Sequence, residues 1–332
     1  MKAVLCKEWG VPSSLTLEEV CSPTLTDGEV RVTVHAAGVN PADVLVVAGK
    51  YQTSPTLPFS PGFEVAGEVI ESRSQTPGLK LGSRVLVTLP YLKHGSPHFG
   101  AFASEVIAPA TNIVPIPEQM DFVTAAALPV AYGTAHMALT HRAHLQAGET
   151  LLITGGTGGT GSAAIQIAKR LGATVIATTS GVQKLTAIKE LGADYALDYK
   201  TENIVERVLA ITNGQGADVI FETVGGDLFE ASLQCINWEG RILPIGAASG
   251  KIPEVSILQP LVKNCALVGT DFAGYTLRNI ERVRQSLIEV LNWYAEGTIK
   301  PVAARTMSLA SAAEALELVA SGKAGGKLVL TT

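Results

Sequence analysis

The sequence predicts a two-part α/β protein, and three observations carry the prediction. The chain has 332 residues, more than one ordinary core fills, with a globular balance of 47% hydrophobic and 17% charged residues. Up to Met120 it reads as short, β-branched runs punctuated by Gly and Pro. From Asp121 onward the rhythm changes to strands and helices in alternation.

In the first part, "EVRVTVHAAGV", "FEVAGEVIES", "SRVLVTL" and "FASEVIA" partly alternate apolar and polar residues, the mark of half-buried strands. They predict a compact, mostly antiparallel β domain. In the second part, strand "TLLIT" leads to helix "TGSAAIQIAKRLG", closed by Gly172. Strand "ATVIATT", helix "VQKLTAIKELG", the weaker strand "ADYALD" and helix "TENIVERVLAITN" follow. Strand "ADVIFETV", helix "DLFEASLQCI" and strands "GRILPIG" and "CALVGT" complete the series. Such βαβ units build a doubly wound parallel sheet. Beyond Thr270 come two helical stretches, "RNIERVRQSLIEVLNWYAEG" and "LASAAEALELVASG", and a final strand "GKLVLTT". The six strands already close the sheet, so this tail is expected to fold back onto the first domain. The expected domains are therefore 1–122 with 271–332, and 123–270.

Composition narrows the functions. The net charge of −5, without basic tracts, argues against nucleic acid as a main partner. No charged-then-apolar leader opens the chain and no apolar run has spanning length, which predicts a cytoplasmic protein with no membrane partner. Cys6, Cys21, Cys235 and Cys265 are scattered without a CxxC pair, against a disulfide framework or a cysteine-rich zinc site.

The chemistry is signalled by Gly156, Gly158 and Gly161, a G-x-G-x-x-G run between a strand and a helix. In a dinucleotide site the first glycine turns the chain, the second admits the pyrophosphate, and the third lets helix and strand pack closely. Free N–H groups at the helix start then face the phosphates, which marks Gly158, Gly159, Thr160 and Gly161 as contacts. An NAD site carries an acid about 20 residues on to hold the ribose 2′-OH. That place reads "ATTSGVQK", Ala177 to Lys184, with no carboxylate. Ser180 and Lys184 suit a 2′-phosphate, so the expected cofactor is NADP(H).

Ordered segments now carry a resemblance: "AAGVNPAD" (Ala36 to Asp43), "PGFEVAGEV" (Pro61 to Val69), "AAALPVAYGTAHMAL" (Ala125 to Leu139), the glycine loop, "VIFETVGGDLFEASL", "GRILPIGAASG" and the closing "GKLVLTT". Over nearly its whole length the chain resembles the zinc-independent branch of the medium-chain dehydrogenase/reductase family, in particular the NADPH:quinone oxidoreductases. The resemblance implies a GroES-like, mostly antiparallel β catalytic domain plus a Rossmann cofactor domain. The zinc-dependent branch of that family binds its catalytic metal with a cysteine and a histidine; the matching positions here are Asn40 and Phe63, the latter beside Glu64. Neither side chain replaces a thiolate or an imidazole, so no metal is expected. His94 with His98, and His141 with His144, are expected at the surface or at a helix end.

The resemblance also implies the reaction: hydride passes from the nicotinamide to an already electrophilic acceptor, a quinone or a conjugated carbonyl, in a crevice between the two domains. Asn40, Tyr51 and Thr134 are the expected catalytic residues, with Asn40 and Thr134 also touching the cofactor. Asp43 is expected to position backbone or cofactor, and Tyr132 shares the "AYGTA" segment with Thr134. Tyr199 is expected at the adenosine. Val224 and Gly225 follow the fourth strand of the parallel sheet, and Ile245, Gly246 and Ala247 the fifth, all at strand ends where ligands bind in such sheets. Phe272 and Tyr275 in "TDFAGY" are expected to return to the crevice as an apolar wall, Phe272 touching the cofactor, and Lys327 is expected either to reach the cofactor there or to remain solvated. The resemblance further implies a homodimer paired through the last strand of the parallel sheet, whose exposed edge needs covering. Two rival functions remain open: an NADPH-dependent enone, alkenal or enoyl-thioester reductase, and a non-catalytic NADPH-binding or RNA-binding crystallin-like protein.

Overall fold

The computed structural model describes residues 1–53, 55–89 and 100–332, and its contacts divide the chain into two compact units. The first comprises Met1–Gly133, Phe272–Ala295 and Pro301–Thr332; the second comprises Thr134–Asp271 and Glu296–Lys300. His94 and His98 lie outside the described residues.

In the first unit a seven-stranded sheet runs in the order Arg305–Ser308, Leu328–Thr331, Glu29–Val39, Glu64–Ser72, Arg84–Thr88, Ile113–Pro115, while Glu105–Pro109 pairs with the other half of Glu29–Val39. Its pairings are antiparallel, except that Arg305–Ser308 lies parallel to Leu328–Thr331. Strand Glu29–Val39 shows how sequence sets burial. Val30, Val32 and Val34 are buried and alternate with more exposed Glu29, Arg31, Thr33 and His35, because one face of that half is wet. The pattern then stops alternating, and Ala36 to Val39 are all buried. Helix Phe122–Ala126 covers that half, packing on Glu29–Val39, Glu64–Ser72 and Leu328–Thr331. This contact is why the stretch after Asp121 belongs to the first unit and the division falls at Gly133. "TDFAGY" forms helix Phe272–Arg278, separated by Asn279 from the long helix Ile280–Ala295. The Asn279 side chain accepts the Arg282 N–H at 3.2 Å and so starts the second helix.

In the second unit six parallel strands run in the order Tyr195–Asp198, Thr174–Thr179, Thr150–Ile153, Ala217–Glu222, Ile236–Pro244, Ala266–Leu267. Numbered within that sheet the order is third, second, first, fourth, fifth, sixth. The side to which successive strands are added switches between Thr150–Ile153 and Ala217–Glu222, the place where ligands bind in open parallel sheets. The central strands are apolar without alternation, with Leu151, Leu152 and Ile153 fully buried, because helices cover both faces. The expected sixth strand is shorter than its apolar run: only Ala266 and Leu267 pair, at the sheet edge. Before it lies a short helix, Leu258–Lys263, that periodicity did not reveal, since its apolar residues face outward.

Candidate active site

The glycine loop follows strand Thr150–Ile153 at the reversal point of the sheet. The positive φ of the turn falls on Gly155 (φ 68°), one residue before the motif, and not on Gly156 as expected. Gly156 is needed for a different reason: a Cβ there would press on Ile188 (3.1 Å), Ala177 (3.2 Å) and Ile165 (3.3 Å). A Cβ on Gly161 would collide with the Gly155 carbonyl and lie 3.0 Å from the Gly156 Cα, so the helix can sit on the turn only if this residue is glycine. Helix Gly159–Arg170 starts there, and its ladder begins with Ser162 N–H on the Gly158 carbonyl at 2.8 Å. The N–H groups of Gly159, Thr160 and Gly161 therefore stand ahead of the ladder, as helix geometry requires. Bare backbone and open donors together fit a dinucleotide pyrophosphate.

Next to the loop, the end of strand Thr174–Thr179 carries the expected phosphate residues. Gly156 N–H bonds the Thr178 carbonyl at 2.8 Å, and the hydroxyls of Thr157 and Thr179 meet at 3.3 Å. Ser180 and Lys184 are brought together, Nζ to Oγ at 3.4 Å, both half-buried. Tyr199 joins them through its N–H on the Thr179 carbonyl at 3.1 Å. A carboxylate missed in the sequence braces this corner. Asp198 accepts the N–H groups of Gly181 (2.8 Å) and Lys200 (3.0 Å) through one oxygen. These backbone bonds hold its carboxyl below the usual carboxylate range, so it stays an anion directed at the backbone.

On the other side of the reversal, Glu222 ends strand Ala217–Glu222 fully buried. It accepts the Thr154 hydroxyl at 2.8 Å and the N–H groups of Val224 (2.9 Å) and Gly225 (3.0 Å). Burial nevertheless raises its pKa, these bonds opposing the shift. Thr223 returns two bonds to Thr154, at 2.8 and 2.7 Å. Ile245 N–H bonds the Glu222 carbonyl at 2.7 Å, and Ala248 N–H the Thr223 carbonyl at 3.0 Å. Val224, Gly225, Ile245, Gly246 and Ala247 are thus gathered at adjoining strand ends beside the glycine loop. Thr134 lies half-buried on helix Pro129–His136.

Within the first unit, Asn40 heads helix Pro41–Val47, with its N–H on the Asp43 carboxylate at 2.8 Å. Its amide enters a buried ion pair: Nδ2 donates to Glu64 Oε1 at 2.8 Å, and Oδ1 accepts Lys327 Nζ at 2.6 Å. Lys327 and Glu64 are 2.5 Å apart, their side chains 9% and 0% exposed. The other Glu64 oxygen accepts the Val130 N–H at 2.7 Å. Lys327 is therefore not solvated, and its ammonium is engaged within this unit. Tyr51 is half-buried, edge-on to Phe63 with ring centroids 5.5 Å apart. Phe272 is buried against Gly133, where a Cβ would lie 2.6 Å from its ring. His141 and His144 have ring centroids 6.4 Å apart, and among the described residues no group of three or more His, Cys, Asp or Glu is arranged to hold a metal.

Two family models match this chain: an alcohol dehydrogenase GroES-like domain over residues 26–118, and a zinc-binding dehydrogenase domain over residues 159–293. A quinone oxidoreductase-like protein 2 homolog of Nematostella vectensis is 38% identical, covering 100% of this chain and 89% of the relative. The chain belongs to the quinone oxidoreductase group of the medium-chain dehydrogenase/reductase family. The Escherichia coli quinone oxidoreductase complexed with NADPH is 28% identical, with a TM-score of 0.90 over 100% of both chains. The CurK enoyl reductase is 25% identical, with a TM-score of 0.87 over 99% of this chain and 98% of that one. Family membership accounts for the GroES-like and Rossmann architectures seen here. The residues that sequence reasoning missed, Gly155, Asp198 and Glu222, had one legible signal among them: a lone carboxylate ending the apolar run "DVIFE".

Proposed function

We propose that this protein is a zinc-independent, NADPH-dependent oxidoreductase that reduces quinones by hydride transfer. The observation that carries the reading is the glycine-cradled first turn of helix Gly159–Arg170, with the Ser180–Lys184 pair beside it in place of a ribose-binding carboxylate. The resemblance to quinone oxidoreductases, one of them complexed with NADPH, supports it.

Bound NADPH supplies the hydride. The N–H groups of Gly159, Thr160 and Gly161 hold its pyrophosphate, while Gly156 and Gly158, whose own N–H groups bond the Thr178 and Gly155 carbonyls, let it approach the bare backbone. Ser180 and Lys184 receive the 2′-phosphate, Tyr199 flanks the adenosine, and Val224, Ile245, Gly246 and Ala247 border the cofactor along the strand ends. Thr134 meets the nicotinamide. Asn40 donates a hydrogen bond as negative charge develops on the acceptor oxygen, and Tyr51 stacks on a planar acceptor or donates through its hydroxyl. The second unit, Thr134–Asp271 with Glu296–Lys300, is the cofactor part, and the first unit is the catalytic part.

Zinc does not fit the positions that hold it in the zinc-dependent branch. Phe63 offers no donor, the Asn40 carbonyl oxygen already holds an ammonium, and Lys327 stands 2.5 Å from the Glu64 carboxylate, where a dication would be repelled. Activity is accordingly expected to survive exhaustive chelation. We place the enzyme in the cytoplasm as a homodimer joined through the edge strand Ala266–Leu267; the outward Leu258, Leu261 and Val262 of the helix preceding it support that interface. No helix among the described residues is long and apolar enough to cross a membrane.

Loss of NADPH absorbance on mixing with 1,4-naphthoquinone tests the function. The likeness to an enoyl reductase favours one second reading, in which the acceptor is an enone, alkenal or enoyl thioester. Turnover on those acceptors alone selects it, and tight NADPH binding without turnover on any acceptor refutes both.

A further inference from the structure

The structure assigns Glu64 and Lys327 a positioning role: together they lock the Asn40 amide in one of its two orientations, so that it offers an N–H and not a carbonyl to the reacting ligand. This inference rests on the donor role proposed for Asn40 above.

An asparagine amide is nearly symmetric in shape, and its two ends differ only in hydrogen bonding. Here the partners differ in charge. The amide oxygen faces the Lys327 ammonium at 2.6 Å, and the amide nitrogen faces the Glu64 carboxylate at 2.8 Å. Rotation by half a turn would set oxygen against carboxylate and N–H against ammonium. Both contacts would be repulsive, in a place where little water can screen them.

The lock is itself immobile. An ammonium has three donors, and those of Lys327 go to the Val39 carbonyl (3.2 Å), the Asn40 Oδ1 (2.6 Å) and Glu64 Oε1 (2.5 Å). Lys327 therefore has no hydrogen left for a ligand, and its influence passes through Asn40. Glu64 is held at its other oxygen by the Val130 N–H at 2.7 Å. Gly38 makes the room: a Cβ there would collide with the Glu64 carboxylate and stand 2.6 Å from the Ala126 carbonyl. The Asn40 backbone is fixed by Asp43, so neither main chain nor side chain can turn. Of the two hydrogens on Nδ2, one is bound to Glu64 and the second has no partner among the described residues.

The test pairs a cofactor-free measurement with a kinetic one. In nuclear magnetic resonance of the wild-type protein alone, one Asn40 side-chain amide proton should exchange slowly with water and its geminal partner fast. Equal exchange of the two overturns the lock without any variant. For kinetics, Glu64→Gln with Lys327→Met removes both charges together, so no unpaired ion is left buried. With 1,4-naphthoquinone this double variant should lose kcat on the order of 100-fold, the usual scale for a displaced transition-state donor, while KM for NADPH stays unchanged. Adding Asn40→Ala should then lower kcat no further, because the same donor is already lost. A double variant with wild-type kcat beside an impaired Asn40→Ala, or losses that multiply, overturns the positioning role. Wild-type kcat in Asn40→Ala alone instead removes the donor role proposed above, and this inference with it.

Discussion

Each unit buries one glutamate completely, and the two are satisfied in opposite ways. Glu64, at the start of its strand, is neutralised by Lys327 at 2.5 Å. Glu222, at the end of its strand, has no cation within ion-pair distance among the described residues and is held by the Thr154 hydroxyl and the N–H groups of Val224 and Gly225. Burial accordingly pushes the Glu222 pKa up. The difference teaches what each carboxylate is for. An ion pair holds side chains against one another, and so suits the unit in which we propose a side-chain donor, Asn40. A carboxylate that collects N–H groups shapes backbone, and so suits the unit whose ligand contacts are backbone at strand ends.

The largest expected effect tests the ion pair. Lys327→Met alone leaves Glu64 buried and uncompensated, and should lower unfolding free energy by about 3–5 kcal/mol in chemical denaturation. A loss as small as that of an exposed lysine would remove the contrast. Gly38→Ala should cost about 1–3 kcal/mol, since the added methyl meets the Glu64 carboxylate and the Ala126 carbonyl. Wild-type stability there would show that the carboxylate can move aside.

In the second unit the expected changes are to ligand binding first. Lys184→Ala should weaken NADPH about ten-fold, a loss of about 1.4 kcal/mol, while leaving NADH affinity unchanged. Equal losses for the two nucleotides would take Lys184 away from the phosphate. The smallest effect is a pH dependence. Because the folded pKa of Glu222 lies above its unfolded value, its contribution to stability is full below the ordinary carboxylate range and declines as pH rises through the raised pKa. Glu222→Gln cannot titrate. The wild type should therefore lose stability relative to this variant between acid and neutral pH, read from thermal midpoints; a constant difference would show that Glu222 titrates alike in both states.

Much of the fold was legible because its signals are local. Alternation in "EVRVTVHAAGV" marked a strand that the structure bounds at the same residues, Glu29–Val39. The order of βαβ units anticipated all six strands of the parallel sheet. The site was legible where a single stretch carries it: the glycine loop, and Ser180 with Lys184 four residues on. It was illegible where the meaning of a residue depends on a distant partner. Nothing in its own stretch marks Asp198, because its meaning lies in the Gly181 and Lys200 N–H groups that converge on it. Lys327 looked equally suited to ligand or solvent.

By itself the sequence determined the two rhythms, the dinucleotide loop and the absence of an acid after the second strand of the parallel sheet, because side-chain periodicity and turn chemistry act over a few residues. Only the tertiary structure decided which charges meet. The final strand pairs antiparallel with Glu29–Val39, Leu328 opposite Val39, and that register carries Lys327 to Asn40 and to Glu64, 263 residues earlier. A shift of one residue would turn Lys327 to the other face of the sheet.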